Sequence, residues 1–410
     1  MSQAPSRRYL RQLAAVLFAG LGMLATFNLG VDAFGIYRNA GLPHLNTFPV
    51  VWSRVSAGER VLDDCQVLLL GSSRVMHGFG PKVPRWGGRK TCNGSVGGTS
   101  MHELIHVWNL AKDEPKVKFA IVFLDFHMFH DGRGVNADFA QSRFNPERSG
   151  LTYHSWALTS LDAIKYSARM LGRPIPVLDP IRSPVSPVRA NRIELYRFLK
   201  NGKIFQDYEG PDKSLALLEQ VLDDASDRNI QVLLVIPPVH VMVLEAMHRT
   251  GVWDDNKHWR RELVRMLDQR LDREIPLWDF ASYHGPSMAR MPETVREPAH
   301  PYWIDVSHQS QQLGFMTVTR IRDAYSGTDG VWEPGFGILL TPDNLEAHLR
   351  QLDKGRKRWR RDNPEQADWF DRFADHLDGI EIDPDAGDIP EAGVDGDIGF
   401  DVDLPGLEGE

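Results

Sequence analysis

Three groupings of residues in this 410-residue chain have types and spacing suited to chemistry. The first is LLLGSSRVMHGF at 68–79, an apolar run that stops at Gly71-Ser72-Ser73. A buried strand ending in Gly-x-Ser sets a serine on a tight turn at the carboxyl edge of a parallel sheet, where α/β active sites form. On its own the tripeptide is weak, because Gly-Ser-Ser also makes ordinary loops. The second is YWIDVSHQSQQLG at 302–314, with Asp305 and His308 three residues apart in a loop that leads into a helix. That spacing lets the carboxylate receive the imidazole Nδ1 hydrogen while Nε2 faces a hydroxyl, the orienter–base relation of a nucleophilic triad. The third is His102-Glu103-Leu104-Ile105-His106. On a helix its two histidines share a face and could hold zinc, with Glu103 as general base.

These groups need elements to position them. Short apolar runs at 67–70 (VLLL), 120–125 (AIVFLD), 232–236 (VLLVI) and 275–280 (IPLWDF) read as strands. Helix-patterned stretches at 101–111, 214–225 and 258–271 lie between them. Strands alternating with helices indicate parallel βαβ units and an α/β domain, expected over residues 60–325. Proline-rich 174–187 interrupts the alternation, so about 140–215 reads as an insertion. The zinc reading competes with this one. Its third ligand should lie on a downstream helix or six residues after His106, where Lys112 stands, and the next segment is a strand ending near His127 and His130. The bland alternative makes His102 and His106 ordinary helix residues. Other polar residues sit where substrate contacts arise in such sheets. His77 lines the pocket or is a loop histidine; Asp125 and His127 follow the third strand; Arg74 faces an anionic substrate or forms a structural ion pair.

Arg7, Arg8 and Arg11 precede twenty residues without a charge, 12–31, long enough to cross a bilayer as a helix. Arginines on the cytoplasmic side would place the remainder outside. Residues 1–36 therefore read as a cytoplasmic stub and signal anchor, with cleavage near Val31-Asp32-Ala33 as the alternative. The net charge of −8 is unevenly placed, since residues 378–410 hold twelve acidic side chains and no basic one. Elsewhere 47 basic residues face 43 acidic ones. The tail is expected to be disordered. Residues 326–377 read as a charged helical extension, with helices over 341–353 and 364–377 capped at Thr341 and Asn363. Between them KGRKRWRR, 354–361, is a solvated face or a surface for an anionic polymer or headgroup. Two cysteines exclude a disulfide-rich scaffold, a four-cysteine zinc site and a chain-held iron–sulfur cluster. No nucleic-acid partner is expected.

Gly71-Ser72-Ser73 with Asp305-x-x-His308 resembles the first and last blocks of the SGNH/GDSL hydrolase superfamily. The Gly-Asp-Ser frame of that superfamily puts Ser73, not Ser72, in the nucleophile position. Its second block, an asparagine followed by a glycine five residues on, is matched by Asn93 and Gly98, with Gly97 the near alternative. The resemblance then implies an oxyanion hole from the backbone N–H groups of Ser73 and Gly98, and a pocket near Asn93. The third block departs: Phe123–Phe129 (FLDFHMF) has no asparagine, so the side-chain oxyanion donor is absent or replaced. With the N-terminal anchor, this is similar to the membrane-anchored proteins of alginate O-acetylation and teichoic-acid D-alanylation. The resemblance implies a three-layer α/β/α SGNH-like (flavodoxin-like) parallel sheet over 60–325 and a Ser73–His308–Asp305 triad without cofactor. It further implies an acyl group, acetyl in the first instance, exchanged with a polysaccharide acceptor, and a membrane-bound O-acyltransferase as partner. In sheets of this type Cys65 and Cys92 fall on neighbouring strands, so a bridge or two buried thiols is expected there. Two other classes remain open: a zinc metallopeptidase using 102–106, and a non-catalytic polysaccharide-binding or assembly subunit that keeps the fold.

Overall fold

The computed structural model describes residues 7–37, 54–62, 64–80, 83, 85–172, 186–200, 204–270, 274–292, 297, 300–328 and 330–378. Most of the proline-rich run and the acidic tail beyond Asp378 lie outside the described residues. The chain divides into two compact units: 1–59 with 140–184 and 385–410, and 60–139 with 185–384.

The first unit contains α1 (Arg7–Val31), α5 (Gly150–Thr159) and α6 (Leu161–Met170). Among the described residues α1 is the one helix long and apolar enough to cross a membrane, with mean hydropathy 1.8 over its apolar window. Its last turns and the residues just after it pack on α5 and α6, where Phe34 and Ile36 meet Tyr153, Ala157, Ala163 and Met170. The expected insertion is thus divided among the described residues: 140–172 group with α1, and those from 186 on with the sheet.

The second unit is mixed α/β. In chain order after α2 (Arg54–Val61), β1 (Val67–Leu70) leads into α3 (Ser73–Phe79), and β2 (Thr91–Asn93) into α4 (Met101–Ala111). Next come β3 (Phe119–Phe123), α7 (Pro187–Lys200), α8 (Asp212–Asp227), β4 (Gln231–Ile236), α9 (Val241–Arg249), α10 (Trp253–Asp268) and β5 (Leu277–Asp279). Then follow α11 (Gln311–Ser326), β6 (Ile338–Leu340), α12 (Leu345–Asp362) and α13 (Pro364–Asp378). The sheet order is β2-β1-β3-β4-β5-β6; the first five strands are parallel and β6 is antiparallel to β5. All four residues of β1 are buried, the pattern of a strand covered on both faces. The helices carry matching stripes: α8 buries Leu215, Leu218, Val221, Leu222 and Ala225, at helical spacing. Cys65 and Cys92 are joined, with Cα atoms 5.7 Å apart, tying the start of β1 to β2.

Several expectations change. The third helix begins at Trp253, five residues before His258, because Trp253, Asn256 and Trp259 are all buried within a polar-looking run. The segment after 326 supplies the sixth strand of the sheet as well as two helices. Its first helix begins after Asn344, and Thr341 and Asn344 exchange side-chain-to-backbone bonds of 3.3 and 3.0 Å. That helix runs straight through the basic cluster, and Asn363 ends it. The cluster is split: Trp359 is buried, and Arg356 and Arg360 lie against the fully buried carboxylate of Glu245 at 2.9 and 2.6 Å, while Lys354, Lys357, Arg358 and Arg361 form an exposed, solvated face.

Candidate active site

Strand order puts the turning point of the topology between β1 and β3, and crevices at the carboxyl ends of such strand pairs are where α/β sheets bind ligands. Ser72 and Ser73 follow β1, and Asp125 follows β3. Gly71 lies between strand and serines at φ +155, and a Cβ there would come within 2.7 Å of Val75 Cγ2 and 3.0 Å of Phe123 Cβ. Only glycine fits that turn without displacing the strand beside it.

The two serines separate cleanly. Ser72 is fully buried and caps α3, its Oγ accepting from the Arg74 N–H while its hydroxyl donates to Asp125. Ser73, the first residue of α3, is half-buried, and its Oγ lies 3.0 Å from His308 Nε2. His308 Nδ1 in turn lies 2.8 Å from Asp305 Oδ2. Serine, imidazole and carboxylate thus form one unbroken hydrogen-bonded chain across 235 residues of sequence.

The loop that carries this dyad is shaped by the same carboxylate. Asp305 Oδ1 accepts from the backbone N–H groups of Ser307 and His308 at 2.7 and 2.8 Å, a local turn that fixes the imidazole's origin. Ile304 N–H to His308 O closes the loop at 2.9 Å, and Asn191 of α7 accepts from Val306 N–H at 3.1 Å. α11 then brings the loop onto α3 at a very close approach: a Cβ on Gly314 would fall 2.0 Å from Gly78 O.

Burial lowers the basicity of His308, but the Asp305 charge and hydrogen bond, with Glu194 beyond, outweigh it and leave the imidazole above its ordinary value. Burial raises Asp305, but His308 and the two backbone donors outweigh it and hold the carboxyl below its usual range. The pair is therefore a base matched to an ionised orienter. The site suits abstraction of the Ser73 proton and attack by its oxygen.

The remaining candidates fall into place around this chain. Arg74 is buried, its Nη1 pairs with Asp125, and its Nε donates to Ser307 O at 2.9 Å. The Gln309 side chain donates to Arg74 O at 3.2 Å. Arg74 and Asp125 are thus a strut between the β3 end and the loop of Asp305 and His308, the structural ion pair among the two readings of Arg74, and both, with His127, line a small internal cavity. Burial pushes Asp125 up, but Arg74, His127 and the Ser72 hydroxyl outweigh it and keep it below the usual range. Asn93 is also buried, donating to Val75 O and Gly80 O at 3.2 and 3.1 Å and accepting from Ser95 N–H at 3.1 Å. It brackets α3 to the β2–α4 loop.

Val96 N–H to Gly71 O, at 3.0 Å, ties that same loop to the serine turn, carrying Gly97 and Gly98 with it. Gly98 has φ +60, and its carbonyl accepts from Arg133 Nη2 and Asn136 Nδ2 at 2.8 and 3.2 Å. His77, one turn beyond Ser73, stacks edge-on against His308 with ring centres 4.7 Å apart. Burial, then the neighbouring His308, lowers it to about 3, so it is neutral. His127 is half-buried and brought to about 3 by burial against the opposing pull of Asp125, so it too is neutral.

On the H-E-x-x-H helix the glutamate is held by neighbouring side chains and backbone. Glu103 is buried and accepts from Asn136 N–H, Asn136 Nδ2 and Thr99 Oγ1 at 2.6, 3.0 and 3.2 Å. It clamps the loop that holds Gly98. His106 packs its ring 5.1 Å from that of Phe139. Among the described residues no group of three or more His, Cys, Asp or Glu side chains is arranged to hold a metal.

Sequence reasoning missed Asn191, Glu194, Arg133 and Asn136. No local signal marks their contacts at the site, which reach residues 33 to 115 positions away. A scan of family models returns no match to this chain, and no curated protein matches it.

Proposed function

We propose that this protein is a membrane-anchored serine esterase or O-acyltransferase on an SGNH-like α/β/α fold, acting outside the cytoplasm on acyl groups of a cell-envelope or exported polysaccharide. The observation that carries the reading is the chain from Ser73 Oγ through His308 to Asp305, at 3.0 and 2.8 Å. Ser73 Oγ attacks the acyl carbonyl carbon while its proton passes to His308 Nε2, and Asp305 holds and stabilises the imidazolium. The backbone N–H groups of Ser73 and Gly98 are the donors assigned to the oxyanion. Collapse of the tetrahedral intermediate releases the alcohol with the proton from His308, leaving acyl-Ser73. A sugar hydroxyl, or water, then takes the acyl group with His308 again as base.

The location has its own support. α1 has the length and composition of a span, and the Cys65–Cys92 bridge suits an oxidising compartment. Asn28 and Asp32 are buried against the rest of their unit, which favours a retained anchor over cleavage near Val31–Ala33. An acyl supply from a membrane-bound O-acyltransferase fits an enzyme held at the bilayer.

Treatment with a fluorophosphonate, followed by peptide mass spectrometry, tests the site. Labelling confined to Ser73 and abolished in Ser73→Ala, together with loss of turnover on acetyl esters, is expected. A Ser73→Ala protein with full turnover would falsify the reading. Absence of both labelling and turnover in the wild type, with polymer binding intact, would mark a non-catalytic subunit instead.

A further inference from the structure

We propose that the α5–α6 hairpin is a second membrane contact, a monotopic element lying in the outer headgroup region beside α1 and binding anionic phospholipid. The proposal rests on the anchor reading of α1. Its first support is position. The uncharged run 12–31 is twenty residues, about 30 Å as a helix, which is the thickness of a bilayer core and leaves no length to spare. Asn28 lies three residues from the end of that run, so about 4–5 Å from its outer edge. Its Nδ2 donates to Leu158 O, in the last turn of α5, at 2.8 Å.

A few residues further, Asp32 accepts from Ile36 N–H at 2.9 Å and turns the chain, and Tyr37 OH reaches His154 Nδ1 at 3.2 Å. Ser160 ends α5 and caps α6, so the two helices are joined at one tight corner. If α1 spans the bilayer, these contacts hold the hairpin at the interface. It has nowhere else to go.

Its surface has the chemistry of that layer. Leu151 and Leu161, in the first turns of the two helices, and Leu171, just past the end of α6, are 80%, 67% and 40% exposed, a large share of aliphatic surface for so short a hairpin. Trp156, Tyr166 and Tyr37 are half-buried on the same unit. Cations lie over these rings: Arg148 is 5.2 Å from the Trp156 centre, and Lys165 and Arg169 are 5.3 and 5.7 Å from that of Tyr166. Amphipathic aromatics with snorkelling basic side chains are the composition of interfacial helices. Residues 140–172 carry four basic side chains against two acidic ones, a bias that favours anionic headgroups.

Both native cysteines are bridged, so a single introduced thiol can be spin-labelled in the full-length protein. Labels at Leu151→Cys and Leu161→Cys are compared with Phe18→Cys on α1 and Val331→Cys, a fully exposed site in the other unit. The protein is reconstituted in phosphatidylcholine vesicles with and without phosphatidylglycerol, and collisions with oxygen and with a water-soluble nickel chelate are measured. The expected result is an oxygen-to-nickel ratio at 151 and 161 several-fold above that at 331 and below that at 18, rising with phosphatidylglycerol. Arg148→Glu with Arg169→Glu should cancel that rise. Water-like labels at 151 and 161 beside a lipid-like label at 18 overturn the hairpin proposal while the anchor stands. A water-like label at 18 overturns both. Shielding of 151 and 161 from both reagents would mean a protein surface covers them, which also overturns it.

Discussion

Removing the Arg74 charge should be among the most damaging single changes in the sheet unit. Arg74 and Asp125 are 3% and 1% exposed, and pair with each other directly. Arg74→Met leaves the Asp125 carboxylate buried with the Ser72 hydroxyl and no counter-charge, a change that typically destabilises by about 3–5 kcal/mol. At roughly 2–4 °C per kcal/mol for a unit of this size, Tm should fall by about 6–20 °C. The same change removes the bond from Arg74 Nε to Ser307 O, so the surviving folded protein should also label more slowly at Ser73.

Removing both charges tests the cause. Arg74→Met with Asp125→Val buries no uncompensated ion, so it should be more stable than Arg74→Met alone. The assay is urea unfolding of the reconstituted or detergent-held protein, as a double-mutant cycle. Because the folded Asp125 is held below its ordinary 3.8, its contribution is full above that pH and is lost as pH falls through the folded value. In Arg74→Met burial acts on Asp125 without the guanidinium, so that carboxyl takes up its proton at higher pH. The gap should begin to narrow as pH falls through the raised value and close fully only when the wild-type Asp125 is protonated as well. A single variant within about 1 kcal/mol of wild type, or a double variant equal to the sum of the singles, would refute the ion-pair argument.

Three further outcomes can be checked. His308 must be neutral to act as base and is held above its ordinary 6.5, so the acid limb of kcat/KM should have its midpoint above that value, and Asp305→Asn should move it down. Cys65→Ala with Cys92→Ala opens a loop of 27 residues and should cost about 3.5 kcal/mol on the chain-entropy estimate, read by thermal unfolding under non-reducing conditions. Gly314→Ala puts a methyl 2.0 Å from Gly78 O, backbone against backbone, so α11 must withdraw from α3. Fluorophosphonate labelling should drop sharply, while a substitution at exposed Leu339, on the sheet edge, should leave it unchanged.

What the sequence discloses here follows the range of its signals. VLLL, AIVF and VLLVI are apolar runs too short for buried helices, and each is a strand. Asp305 and His308 are legible because three residues suffice to join them, and Ser73 because a strand must end in glycine to turn there. Ser72 against Ser73 was open from composition alone; burial of one and half-burial of the other separates them. The Arg74–Asp125 strut spans 51 residues and the Asn191 contact 115, distances over which no periodicity speaks. β6 is three residues between Gly337 and Thr341, shorter than any pattern can mark. H-E-x-x-H is equally silent on range: Glu103 bonds Thr99 nearby and Asn136, 33 residues on, and the second contact leaves no trace in the motif.

The two arginines on α12 bear on the order in which the chain can fold. Glu245 is in α9, its side chain wholly buried, yet its cationic partners Arg356 and Arg360 come 111 and 115 residues later. A chain delivered from its N-terminus therefore holds the serine, the aspartate and the histidine well before that carboxylate can be neutralised. Closure of the sheet waits as well, since β5 has an open edge until residue 340 arrives. The unit gains its final stability only when nearly all of it has emerged. Under the proposed location, outside the cytoplasm, such late closure would keep a chain threaded in extended form from locking on the wrong side of the membrane.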